Sequence, residues 1–167
     1  MEHKTCCFSG HRKLPIDQAL HINNLLVNQI FKLIDKGVNN FICGGALGFD
    51  TIAAQTVIKA RAICPNIQLI MALPSPEQTK GWRINDIDNY HHILKQANHI
   101  VYTSTEHHAG CMHIRNHYMV DHSQYCICYM MQATGGTVHT VNYARKKGLS
   151  IINIADESFE EQISFFS

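Results

Sequence analysis

Residues 9–13 read Ser-Gly-His-Arg-Lys and follow directly on the apolar run Cys6-Cys7-Phe8. A glycine followed by a histidine and two cations suits the capture of an anion. Gly10 lets the backbone come close, and His11 and Arg12 supply donors. Two further glycine clusters stand later in the chain. Gly44-Gly45-Ala46-Leu47-Gly48 precedes Phe49-Asp50, and Thr134-Gly135-Gly136-Thr137 follows a second cysteine-bearing apolar run. A glycine loop that opens a helix presents free N–H groups and the positive end of the helix dipole, which is phosphate chemistry. It also serves as a plain tight turn, so no single cluster decides. "GGALG" lacks the G-x-G-x-x-G spacing, so it is no dinucleotide fingerprint.

Other side chains could join such a site. Asp50 could accept ribose hydroxyls, or simply complement a helix dipole. Arg115 could clamp phosphate, and Asn116 could bond a base or ribose, unless both lie on a solvated helix face. Trp82, the sole tryptophan, could stack on a base or anchor a lid. His113 and His117 are four apart within a segment (107–117) that also holds His107, His108 and Cys111. That spacing suits a metal, but neither H-E-x-x-H nor C-x-x-C accompanies it, so no metal is expected. No G-x-S-x-G marks a nucleophile, and no catalytic residue is assigned.

The elements that must position these residues alternate. Strand-like runs cover residues 3–9, 39–45, 67–74, 99–104, 124–131 and 149–155. Helical patterns cover 16–37, 47–63, 84–97, 111–123, 135–148 and 156–166. Such alternation specifies an α/β fold: a doubly wound, mostly parallel sheet with helices on both faces. The strands are near-continuous apolar runs, as two covered faces require. Cys126 and Cys128 should point to one face as buried packing. Ligands of such sheets bind beyond the carboxyl ends of the strands at the topological switch point. If the first and fifth strands meet there, "SGHR" and "TGGT" share one cleft.

The composition sets the remaining bounds. The 167 residues fit one domain, with 46% hydrophobic and 16% charged residues. Fourteen basic and thirteen acidic residues give a net charge of +1. That balance disfavours a broad nucleic-acid footprint. Twelve histidines make the charge climb as pH falls through roughly 6.5. Seven cysteines, several in apolar runs, suit reduced thiols in a cytoplasmic protein. No signal peptide and no membrane span are read.

Taken in order, "FSGHR", "ICGGALGFDTIAAQ", Pro74 with Trp82, "RNHYMVDHS" and "GGTVHTVNYA" make the chain resemble the YpsA-like branch of the SLOG superfamily. The resemblance runs from Cys6 to about Ile154. The superfamily also holds the LOG cytokinin-activating hydrolases and a domain of DprA. The resemblance implies a Rossmann-like domain that binds a nucleotide or ADP-ribose-like ligand in a sensing, sequestering or regulatory role. It implies no cofactor. The expected partner is a nucleotide-derived small molecule, with a homo-oligomer left open. Two other readings follow from the same resemblance: a LOG-type phosphoribohydrolase and DprA-like single-stranded DNA binding. The chain departs from the LOG pattern P-G-G-x-G-T-x-x-E. Thr134 replaces the proline, and the glutamate position falls on Thr140 or Asn142. A hydrolase would then need Asp50 or Asp121 as its carboxylate.

Overall fold

The computed structural model describes residues 3–131 and 134–156. The chain runs β1 (Lys4–Gly10), α1 (Ala19–Asp35), β2 (Val38–Cys43), α2 (Phe49–Ile63), β3 (Gln68–Leu73) and α3 (Ile84–Gln96). It continues through β4 (His99–Tyr102), α4 (Cys111–Asp121), β5 (Tyr125–Tyr129), α5 (Gly136–Lys146) and β6 (Ser150–Asn153). Among the described residues, six strands form one sheet in the order β4-β3-β2-β1-β5-β6, and its five pairings are parallel. The first four strands step outward from β1 in one direction. The chain then crosses back so that β5 pairs with the free side of β1, in the register Cys7↔Cys126 and Gly10↔Tyr129. The switch point therefore lies between β1 and β5.

Alternation along each strand sends side chains to both faces. Cys6 and Phe8 join a core under α1, α2 and α3, together with Leu26, Ile30, Phe41, Phe49 and Leu69. Cys7 points the other way. With Ile42, Ala72, Cys126 and Cys128 it packs under Met119 and Val120 of α4 and Val141 and Ala144 of α5. Cys126 and Cys128 are fully buried, and all seven thiols are free.

The elements expected within the described residues are found, with shifted ends. The helix expected from residue 16 opens as a 3-10 turn, Ile16–Gln18, where the Gln18 N–H reaches the Pro15 carbonyl at 3.0 Å. The α-helix proper begins at Ala19. β2 stops at Cys43, before the positive φ (73°) of Gly45. The helix expected over 156–166 falls outside the described residues.

Candidate functional site

At the carboxyl ends of β1 and β5 lies a cleft of about 510 Å³. Its walls are the β1 loop (Ser9 to Lys13), the first two turns of α4 (Met112, His113, Arg115, Asn116) and the stretch Thr134–Thr137 that opens α5. Phe8, Ala46 and Asp50 complete it. Nine of the expected site residues line it: Gly10, His11, Arg12, Asp50, Arg115, Asn116, Gly135, Gly136 and Thr137.

The α5 wall has the features of an anion site. Gly135 precedes the helix with φ 114°, and no side chain caps the helix N-terminus. A Cβ built on Gly135 or Gly136 meets nothing within 4 Å, so this loop faces open space. First-turn N–H groups left without a side-chain cap, backed by the helix dipole, attract negative charge. Across the cleft, Arg12 and Lys13 are exposed at the mouth. Arg12 Nη2 donates to the Met112 sulfur at 2.7 Å, which holds the guanidinium over the cleft.

The floor holds two buried charges of opposite sign. Asp50 (7% exposed) and Arg115 (3% exposed) both lie beside Gly44. Arg115 Nη1 donates to the Gly44 carbonyl, and its Nε donates to Asn116 Oδ1 at 2.8 Å. Asp50 Oδ2 accepts the Ala46 N–H at 3.2 Å. Burial pushes the Asp50 carboxyl above the usual carboxylate range, while Arg115, the Ala46 N–H and Arg12 pull it back. Burial likewise lowers the Arg115 pKa, and Asp50 opposes that shift. The alternative of a solvated helix face for Arg115 is thus set aside: the guanidinium lines the cleft as a buried, bonded group.

His11 ties the two walls together. Its Nε2 accepts the Met131 N–H at 3.0 Å, and its ring meets Tyr129 edge-on. Burial lowers its pKa, in keeping with a ring nitrogen used as an acceptor.

Four expected residues stand outside the cleft, for steric reasons. The second glycine loop was expected to cradle phosphate; instead it receives protein. A Cβ on Gly48 (φ 78°) would fall on the backbone of Arg12 and within 2.7 Å of the His11 carbonyl oxygen. That carbonyl accepts the Phe49 N–H at 3.1 Å, so the start of α2 is spent on the β1 loop. Gly44 lies under Arg115, and Gly45 lies against Leu73, Gln78 and Tyr90. Gly10 itself is a glycine because the Phe49 ring covers it. Trp82 packs edge-on against Tyr90 at 5.5 Å, beside a void of only about 10 Å³, so it is an anchor rather than a stacking surface.

Lys13, read in sequence only as a cation of the motif, lines the cleft, and Met112 and His113, which sequence reasoning did not assign to it, do so too. These two follow from the winding: in this fold the start of α4 reaches the same sheet edge. The histidines of 107–117 do not converge on an ion. Among the described residues, no group of three or more potential ligands could hold a metal. Neither Thr140 nor Asn142 lines the cleft. The Thr140 hydroxyl turns back to the Gly136 carbonyl at 3.0 Å, and Asn142 is exposed. Asp121 accepts the Tyr143 hydroxyl at 2.7 Å and lies outside the cleft. No helix among the described residues is long and apolar enough to cross a membrane.

Comparison with known proteins fits this architecture. The fold is similar to DNA processing protein A from Helicobacter pylori, with a TM-score of 0.62, 19% identity, and coverage of 89% of this chain and 63% of that one. The DprA of Streptococcus pneumoniae gives the same TM-score at 12% identity, over 98% of this chain and 56% of its own. This chain thus spans less than two thirds of either. In sequence it is 31% identical to the SPbeta prophage-derived protein YoqJ of Bacillus subtilis, over 88% of this chain and 95% of YoqJ. It is 30% identical to a UPF0398 protein of Halalkalibacterium halodurans, over 76% and 69% of the two chains. The family model described as the YspA SLOG family matches residues 8–153, from the β1 motif to the end of β6, and the chain belongs to that family.

Proposed function

We propose that the cleft holds the phosphate of a nucleotide or ADP-ribose-like ligand, and that the protein senses, sequesters or regulates through that binding. One observation carries this reading. The uncapped start of α5 and the cations Arg12 and Lys13 border a single cleft at the switch point. The buried Asp50 and Arg115 offset each other on the floor, so the mouth sets the sign of the ligand. The volume suits a small molecule, since such sites run from about 300 to 1,000 Å³. Arg12→Ala tests it. A charge-assisted hydrogen bond is worth roughly 1.5–3 kcal/mol, so calorimetric titration with adenosine monophosphate and ADP-ribose should show a tenfold to hundredfold loss. Unchanged affinity removes Arg12 from the site. A mass spectrum of small molecules released on denaturation would name the ligand.

A second reading is single-stranded DNA at the same cleft. The observation in its favour is the fold shared with two DprA chains, one of them described by its single-stranded DNA binding mode. The near-neutral net charge counted against nucleic acid, but a strand meets local cations rather than the average charge. A gel shift whose strength falls with salt would support this reading. A LOG-type hydrolase finds less support. It would have to work through Asp50, which is already bonded to Ala46 and set beside Arg115.

A further inference from the structure

A strip of rings runs along the seam of α4 and α5, outside the phosphate chemistry described above. His113 borders the cleft, and its ring meets His139 edge-on with centroids 4.7 Å apart. His139 lies parallel to His117 at 5.7 Å, and His117 stacks on Tyr143 at 3.8 Å. A second recess of about 590 Å³ opens on this strip, lined by His117, His139, Asn142, Tyr143 and Lys146. His113 lines the first recess and His139 the second, so their ring contact lies between the two. No carboxylate lines the second one. Asp121, which receives the Tyr143 hydroxyl, is faced by Lys147 at 3.9 Å. His117 Nε2 is buried there with no hydrogen-bond partner, a donor or acceptor site left unused at some cost.

We propose that this strip continues the cleft and takes a single-stranded nucleic acid along α4 and α5. This rests on the second reading above. The exposed His139 ring offers a stacking face to an unpaired base, and Lys146 with the cleft cations offers partners to successive phosphates. A duplex hides its base faces, so a single strand is the form that fits. From Gly136 to Lys146 the helix runs about 15 Å at 1.5 Å per residue. At about 3.4 Å per stacked nucleotide, that is room for roughly four. A mononucleotide would fill the cleft and leave the strip empty.

The test is fluorescence anisotropy with labelled oligothymidylates of one to about eight nucleotides, at several salt concentrations. Affinity should climb with length to roughly four nucleotides and then level off. His139→Ala should collapse that gain, cutting affinity for the longest oligomer by about five- to hundredfold, the range of one lost stack. Lys146→Ala, at an exposed position, should reduce the salt slope by about 0.7. Circular dichroism checks that both variants fold. Oligouridylates run in parallel; a length gain with either chemistry upholds the strip. If oligomers bind and Arg12→Ala weakens them, yet both strip variants keep the full length gain and salt slope, the strip is refuted and the cleft reading stands. If no oligomer binds at low salt, the single-strand reading falls and the strip with it.

Discussion

Gly44 has no side chain because the Arg115 guanidinium lies over it. A Cβ there would sit 2.7 Å from Arg115 Nη1, 2.8 Å from its Cζ and 3.0 Å from Asp50 Oδ2. Gly44→Ala must therefore displace the guanidinium. Arg115 is only 3% exposed, so it has no path to water without opening the floor of the cleft. Losing its bond to the Gly44 carbonyl costs about 1.5–3 kcal/mol. Moving the guanidinium away also removes the opposite charge that favours the ionised Asp50, which adds to that cost. We expect a loss of about 2–4 kcal/mol, a large part of a total stability of roughly 5–15 kcal/mol. For a chain of this size each kcal/mol moves Tm by roughly 2–4 °C, so the melt should drop by roughly 4–16 °C. Urea midpoints and thermal melts by circular dichroism measure it. A double-mutant cycle sharpens the test. In an Arg115→Met background the wedge is gone, and Gly44→Ala should cost less than about 1 kcal/mol. If the two losses simply add, or if Gly44→Ala melts within about 1 °C of the parent, the guanidinium is not wedged and this account of the floor is wrong.

Gly136→Val should fold and abolish nucleotide binding, because its Cβ enters open space at the cleft. Gly148→Ala, at the far end of the same helix with φ 79°, should bind normally and cost about 1 kcal/mol; tight binding by folded Gly136→Val would move the cleft elsewhere. Adenosine monophosphate should not be cleaved; release of free base at about 1 s⁻¹ or faster would sink the binding reading. The lowered pKa of His11 favours its neutral form in the folded state. Its contribution to stability is complete above the unfolded value of about 6.5 and is lost as pH falls toward the folded value. The fall in urea midpoint between about pH 7.5 and pH 5 should shrink in His11→Gln, and an identical fall in both proteins would refute the role of His11.

The order of strands and helices was legible because hydrophobic period and glycine stops are local signals. The meeting of "SGHR" with "TGGT" was legible too, since parallel winding leaves few ways to place β5. The destination of each glycine loop was not. Gly48 and Gly136 look alike in sequence, each opening a helix after a strand. One is covered by the backbone of Arg12, and the other faces open space. Only the long-range approach of the β1 loop to α2 separates them, and no local pattern encodes that approach. The same holds for Arg115. Its helix reads as polar on several sides, and its burial depends on Gly44, seventy-one residues earlier.

The pairing of β1 with β5 also sets a timetable for the chain during synthesis. The first four strands and three helices form a continuous sequence that can be laid down side by side as it emerges. β1 sits at the rim of that partial sheet, and Cys7 finds Cys126 only when residue 126 arrives. Until then the fully buried run Cys6-Cys7-Phe8 is an unpaired, apolar edge, the kind of edge that recruits foreign strands. Synthesis at roughly 5–20 residues per second keeps that edge open for several seconds. The last third of the chain thus builds the α4 and α5 walls of the cleft and also seals this edge of the nascent protein.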